Sequence, residues 1–156
     1  DIKDEMAAIK ESFNIESSTA KEGFFQKKFS KPIFIAFVRE SRYTKELLEE
    51  NGEFTINVPL EAVDKNVIAV CGTKSGRDMD KFRELGLTPE EPNVISTPGI
   101  KELPLTLECK VIYKQEQEPS AIFPEYDAKY YAKGTRNEGD YHIAYYGEIT
   151  AAYIIE

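Results

Sequence analysis

The fold is decided by residues 105–113, which read Leu105-Thr106-Leu107-Glu108-Cys109-Lys110-Val111-Ile112-Tyr113. The odd-numbered positions are apolar or aromatic, and they alternate strictly with the even-numbered ones. A period of two is typical of a β-strand, because successive side chains of a strand point to opposite faces of the sheet. This stretch therefore predicts the clearest strand of the chain.

Further strands are predicted on both sides of it. Residues 32–38 form an uninterrupted apolar run that reads as a buried strand, with Pro32 at its edge or start. Phe54, Ile56 and Val58 alternate with polar neighbours and end at Pro59. The C-terminal stretch 141–155 is aromatic and β-branched, and Gly147 is expected to form a bulge or bend between two strand halves.

Short helices are predicted in the middle of the chain. Residues 44–51 should form one, capped by Ser41 or Thr44 and stopped at Asn51-Gly52. Residues 62–70 should form a second, and a third should begin near Asp78 and end at Gly86. At the N-terminus, residues 1–13 carry apolar side chains at helical spacing, which favours an amphipathic helix or arm.

This order of elements indicates a mainly β fold. Strands dominate both ends of the chain, and no repeated strand–helix alternation of the parallel α/β type is present. A β-barrel with short helical insertions is favoured. With 156 residues, the chain should form a single domain.

Composition limits the function classes. A net charge of −8 disfavours nucleic-acid binding, which needs a broad basic surface. No apolar run approaches the roughly 20 residues of a membrane span. Cys71 and Cys109 are too few for a disulfide scaffold or a metal site, so a reducing, cytoplasmic setting and no metal are expected.

Two basic loops stand out against this acidic background. The first is Cys71-Gly72-Thr73-Lys74-Ser75-Gly76-Arg77-Asp78, expected to be a loop that opens into a helix at Asp78. The second is Arg39-Glu40-Ser41-Arg42-Tyr43-Thr44, at the end of an apolar strand. Backbone N–H groups, guanidinium groups and a helix N-terminus all suit an oxyanion, so the pair suggests a phosphorylated small molecule.

A plainer interpretation of each loop stays open. The glycines at 72 and 76 also suit an exposed turn, and Arg39 and Arg42 could simply pair with Glu40 and Glu46. His142 is the single histidine, and a strand histidine that bonds to a neighbour is favoured over a catalytic one. The tyrosines of the C-terminal third are expected in the core and at an interface. No nucleophile with an adjacent base is visible, so redox chemistry would need a cofactor.

Several motifs, taken in order, resemble one family. Residues 31–44 are similar to the "KP…VRxSRYT" stretch of the flavin reductase-like, flavoredoxin-type FMN-binding split-barrel family. Residues 71–78, with Asp80-Lys81 and 86–89 after them, resemble its "CGxxSGRDxDK…GLTP" block. Leu107–Lys110, Gly139–His142 and Tyr146–Ile149 are similar to its later strands, and the matches cover roughly residues 31–150.

The resemblance implies a Greek-key split β-barrel, a homodimer, and FMN held near the subunit interface. It implies a role in electron transfer or flavin reduction, with NAD(P)H or a protein as the electron donor. Neither nucleic acid nor a membrane is an expected partner. The residues implied to contact FMN or line its pocket are Thr19, Arg39, Ser41, Arg42, Tyr43, Thr44, Cys71, Gly72, Ser75, Gly76 and Arg77.

The N-terminal segment 1–30 diverges from the family pattern. Family members carry an Asn-x-Met-Thr-x-Ser/Ala-Trp-Gly segment that supports the flavin, and the corresponding residues here are 16–23. Thr19 and Gly23 match it, whereas Lys21 and Glu22 stand in place of Ser and Trp. The alternatives are a flavin-free member of the same fold that serves as a binding or structural protein, and a protein that binds another phosphometabolite without redox work.

Overall fold

A four-stranded sheet organises residues 30–156, the part of the chain that this computed structural model describes. Residues Phe34–Glu156 form one compact unit. The strands are β1 (Ile33–Arg39), β2 (Glu53–Val58), β3 (Pro89–Glu90), β4 (Gly99–Ile100), β5 (Leu105–Glu116) and β6 (His142–Ile154). The helices are α1 (Tyr43–Asn51), α2 (Lys65–Thr73), α3 (Lys81–Leu85) and α4 (Pro124–Tyr130), with a 3₁₀ turn at Pro119–Ala121.

The large sheet has the order β1-β6-β5-β2, and β5 pairs antiparallel with both β2 and β6. Strands β3 and β4 form a separate antiparallel ribbon. The mainly β prediction is confirmed, and so are the strands at both ends with short helices between them. The helix or arm predicted over 1–13, and the divergent 16–23 segment with Thr19, lie outside the described residues.

Strand β6 is continuous where a break was expected. Gly147 pairs with Val111, and the next pair is Tyr113 with Tyr146, so Ile112 of β5 is the extra residue. The ladder is therefore irregular at Gly147, as predicted, but the extra residue belongs to the partner strand and β6 is not divided into two halves. A second register shift, between Glu108 and Cys109, leaves Thr150 of β6 unpaired in the ladder. Such bulges bend a strand and increase the twist of its sheet.

Gly147 is required for a different reason, which is close packing. A Cβ atom at this position would lie 2.6 Å from Cζ of Phe54 and 2.9 Å from Cβ of Cys109. The missing side chain thus makes room for the Phe54 ring in the core.

The core lies on one face of the sheet and under α1. Its buried residues are Leu48, Phe54, Cys109, Ile143 and Tyr145. Partly buried apolar residues of β1, β2, β5 and β6 pack against them: Phe34, Ala36, Val38, Ile56, Leu107, Val111 and Ile149.

A carboxylate is buried on the other face of β5. Glu108 is fully buried, and it accepts hydrogen bonds from the N–H groups of Asn93, Val94 and Ile95 at 2.6, 2.8 and 3.2 Å. The hydroxyl of Tyr153 donates to it as well, at 2.8 Å. Because a buried charge is tolerated only when it is hydrogen-bonded, this set of donors explains why Glu108 can lie inside.

The helices begin at other residues than predicted. Arg42 is the N-cap of α1 and makes no side-chain cap bond, so neither Ser41 nor Thr44 caps this helix. Its end is as predicted: Gly52 adopts the left-handed conformation at φ 69°, and its N–H donates to the carbonyl of Leu48. Helix α2 begins after Asp64, whose carboxylate accepts the N–H of Asn66 at 2.8 Å.

In residues 30–156, no helix is long and apolar enough to cross a bilayer.

Candidate functional site

The two basic loops predicted from the sequence meet at the start of α1. The ring of Tyr43 lies against Gly76, where an added Cβ would be 3.1 Å from its Cδ1 atom. The guanidinium carbon of Arg77 lies 5.1 Å from the centre of the same ring. Glycine at 76 therefore permits the close approach of the two loops, and Arg77 covers Tyr43 in a cation–π contact.

Arg77 also ties the second loop to the first through polar contacts. Its Nη2 forms an ion pair with the carboxylate of Glu46, in the first turn of α1. Its Nη1 donates to the carbonyl oxygen of Ser41 at 3.5 Å. The hydroxyl of Ser75 accepts the backbone N–H of Arg77 at 3.1 Å, which shapes the turn that presents Arg77.

Asp140 holds the first loop from the other side. Its Oδ1 accepts the N–H of Ser41 at 2.9 Å, and its Oδ2 accepts the Ser41 hydroxyl at 2.7 Å. Arg39 donates from Nη1 to the carbonyl of Asp140 at 3.2 Å. The neighbouring backbone pair, from the Glu40 N–H to the Tyr141 carbonyl at 3.0 Å, fixes the same junction. No sequence signal marked Asp140 as a site residue, although it lies in the Gly139–His142 stretch.

Two predicted members of the site face solvent beside this contact. Arg42 and Thr44 are exposed, and within residues 30–156 Arg42 forms no ion pair. The N–H of Lys45 already donates to the carbonyl of Arg42 at 2.9 Å, so the backbone donors that α1 can add are those of its first two residues. The N-terminal end of its dipole also favours an anion there.

The predicted loop 71–78 needs a correction. Helix α2 continues to Thr73, so Cys71 and Gly72 lie in its last turn and do not form part of a glycine cradle. The next helix begins after Asp80, whose carboxylate accepts the Arg83 N–H at 3.2 Å, so no helix starts at Asp78. Cys71 is exposed, and its carbonyl accepts a bond from Lys81 at 3.2 Å. The loop proper is therefore Lys74–Asp80.

An aromatic cluster adjoins the Asp140 junction. The ring of Tyr131 stacks on Tyr141 with centroids 4.7 Å apart, and the guanidinium carbon of Arg39 lies 5.8 Å from the Tyr131 centroid. The Tyr131 hydroxyl is 3.0 Å from Nδ1 of His142, which confirms the prediction of a strand histidine bonded to a neighbour. Burial and then the charge of Arg39 lower the pKa of His142, while Asp140 opposes that shift.

A groove of about 620 Å³ opens beside His142. No sequence signal identifies this groove, because its walls come from β1, β5, β6 and the 3₁₀ turn, which are far apart in the chain. The lining residues are Phe37, Gln115, Glu116, Gln117, Glu118, Ala121, Ile122, His142, Ala144 and Tyr146.

The chemistry of the donor set suits a phosphate group. Arg39, Arg42 and Arg77 supply three guanidinium groups within two touching loops, and a guanidinium fork matches phosphate geometry. Exposed hydroxyls and the start of α1 add neutral donors. Two donor groups are already engaged by carboxylates of the chain: Asp140 binds Ser41, and Glu46 binds Arg77.

Comparison with known proteins now bears on what such a site serves. Residues 22–156 match the flavin reductase like domain. The chain belongs to the flavin reductase-like family.

Two flavoredoxins with solved structures share the fold of this chain. Flavoredoxin of Desulfovibrio vulgaris (Miyazaki F) has a TM-score of 0.59 and 26% identity, over 80% of this chain and 54% of that chain. Flavoredoxin from Methanosarcina acetivorans has a TM-score of 0.53 and 29% identity, over 81% of this chain and 55% of that one. The split-barrel prediction is confirmed by these neighbours together with the observed sheet.

A sequence relative is similar to part of this chain. An uncharacterized protein of Archaeoglobus fulgidus is 36% identical over 95 residues, which are 61% of this chain and 53% of the relative. The chain thus spans about half the length of the relatives it matches here. Membership of the family supports a function related to flavin.

Proposed function

We propose that this protein binds FMN at the start of α1 and acts in electron transfer or flavin reduction. The observation that carries the proposal is the contact of Tyr43 with Gly76 and Arg77, which unites the two basic loops. In a chain with a net charge of −8, this local concentration of guanidinium groups favours an anionic ligand. FMN is proposed as the flavin because residues 31–44 and 71–78 resemble the motifs of an FMN-binding family.

The proposed contacts divide between phosphate and ring. Arg42 and Arg77, with Thr44 and the first turn of α1, would hold the phosphate, and Arg39 would add positive charge beside them. Tyr43 lies between the loops and would line the pocket. Cys71, Gly72, Ser75 and Gly76 stay proposed members of the pocket, as does Thr19.

The flavin, when bound, would supply the electron-accepting and electron-donating chemistry. The role of the chain is to bind and orient it. No residue is assigned as an acid or base. A homodimer, and NAD(P)H or a protein as electron donor, complete the proposal and rest on the family resemblance. A cytoplasmic location is proposed from the small number of cysteines.

Titration with FMN tests the proposal directly. Protein freed of any bound flavin should quench FMN fluorescence on binding, and R42Q should bind FMN about 10- to 100-fold more weakly, because a charged hydrogen bond is lost. The matched control is R83Q, since Arg83 pairs with Glu84 on the exposed side of α3. R83Q should bind FMN like the wild type.

The result separates the two main hypotheses. Saturable FMN binding that is weakened by R42Q alone supports the flavoprotein. Absence of binding at high FMN concentration would leave the flavin-free member of the same fold. Equal loss in R42Q and R83Q would show that net charge, and not this site, governs binding.

A further inference from the structure

A carboxylate of the chain already pairs with a guanidinium group that the phosphate of the proposed ligand would bind. Glu46 lies in the first turn of α1 and forms an ion pair with Arg77. Both side chains are open to water, with 42% of Arg77 and 56% of Glu46 exposed. Surface ion pairs of this kind are weak, so a dianionic ligand can replace the carboxylate.

Arg77 does not depend on Glu46 for its position. Its guanidinium also lies over the ring of Tyr43 and donates to the carbonyl of Ser41. The turn before it is fixed by the bond from its own N–H to Ser75. Removing the charge of Glu46 should therefore leave Arg77 in place with a free side of its guanidinium fork.

Asp140 differs from Glu46 in this respect. Its two carboxylate oxygens accept the N–H and the hydroxyl of Ser41, and the adjacent backbone bond between Glu40 and Tyr141 fixes the same junction. Asp140 is therefore part of the scaffold of the first loop. Glu46, held by one exposed ion pair, is the carboxylate that a ligand can displace.

We infer that Glu46 is a specificity-determining residue, which competes with the ligand phosphate for Arg77 and so sets the preference for phosphorylated over unphosphorylated flavin. This inference rests on the proposed function. The carboxylate opposes a phosphate in two ways: it engages the guanidinium, and it places negative charge at the positive end of the α1 dipole. A flavin without phosphate, such as riboflavin, meets neither effect.

The test compares E46Q with E50Q. Glu50 is an exposed residue of the same helix, so both changes remove one negative charge from α1. E46Q should bind FMN about fivefold more tightly than the wild type, and its affinity for riboflavin should change less than about twofold. E50Q should bind both ligands within about twofold of the wild type. In an R77Q background, E46Q should tighten FMN binding by clearly less than fivefold, because the effect that runs through Arg77 is lost and only the charge of Glu46 at the helix start remains.

The outcomes distinguish the inference from the proposed function. A gain that is confined to FMN and to E46Q, and that is reduced when Arg77 is replaced, supports the inference. An equal gain in E46Q and E50Q, an equal gain for riboflavin, or an undiminished gain with R77Q overturns it while FMN binding still stands. If neither the wild type nor E46Q binds FMN, the proposed function itself fails, and the inference fails with it.

Discussion

At the scale of single residues, Glu108 shows how a charge can be built into this fold. Burial alone would raise the pKa of its carboxyl group, but three backbone N–H groups and the Tyr153 hydroxyl together hold the pKa below its ordinary value. The same bonds attach the segment at 93–95 to β5. The carboxylate therefore stabilises a part of the chain that has little regular structure.

E108Q should lower the free energy of unfolding by about 2 to 3 kcal/mol. The amide NH₂ would face backbone donors and leave them unsatisfied. E118Q is the control, because Glu118 is exposed and, among the described residues, its side chain accepts hydrogen bonds from nearby Ser120. The free energy of unfolding of E118Q should therefore change little. Urea unfolding at pH 7 measures both, and wild-type stability in E108Q would contradict the assigned role.

The same residue gives a pH dependence of known sign. The pKa of Glu108 is lower in the folded state than in the unfolded state. Its ionised carboxylate therefore contributes fully to the free energy of unfolding at pH values above the unfolded-state pKa of about 4.3. That contribution is lost as the pH falls through the folded value. The stability gap between wild type and E108Q should therefore narrow on acidification.

Sequence alternation predicted the strand at Glu108 but not the burial of this residue. The pattern indicates which positions share a face, and it carries no information on what covers that face. Here the cover comes from residues 93–95, in an irregular segment that no local signal identifies. The buried Thr106 on the same face was missed for the same reason.

At the scale of elements, two glycines that lie inside regular structure have opposite roles. An added Cβ at Gly147 would overlap the Phe54 ring, whereas one at Gly72 meets nothing within 4 Å. G147A should therefore destabilise the protein by about 3 kcal/mol through overpacking. G72A, in the last turn of α2, should be neutral or stabilising by about 0.5 kcal/mol. Thermal unfolding of both variants checks this, and equal effects would contradict the assigned packing.

Element boundaries were predicted less well than element types. The predicted loop begins at Cys71, whereas α2 continues through Cys71 and Gly72 to Thr73. Asp78 and Asp80 are both suitable N-caps by residue type, and the structure uses Asp80. The alternating pattern predicted the strand over 105–113 but not its full length, because the polar residues 114–116 extend β5 beyond the alternating stretch.

At the scale of the whole molecule, ligand binding should appear as added stability. FMN at 100 times its Kd should stabilise the protein by about 2.7 kcal/mol, which corresponds to a rise in Tm of roughly 5 to 10 °C. AMP at an equal concentration is the control ligand. A rise with AMP but not with FMN would favour a different phosphometabolite, and no rise with either would favour a flavin-free protein.

Much of the candidate site followed from residue chemistry. Arg39, Arg42 and Arg77 were identified from their loops before any contact was known, and the fold brings those loops together. The carboxylates that bind donor groups of these two loops could not be predicted from the sequence. Asp140 is about 100 residues away from Ser41 along the chain, and the ion pair of Glu46 depends on where the turn after α2 places Arg77.

Helix α1 is anchored near its C-terminal end. Glu49 accepts a 2.7 Å bond from the Tyr145 hydroxyl and pairs with Lys114 at 2.6 Å, and Leu48 is buried in the core. Opening fluctuations of this helix should therefore start in its first turn, which, among the described residues, is held through exposed contacts with Arg77 and is where the proposed ligand would bind. A bound phosphate would slow amide hydrogen exchange mainly in that turn, so the chain would register its ligand as a local loss of motion with no change of shape.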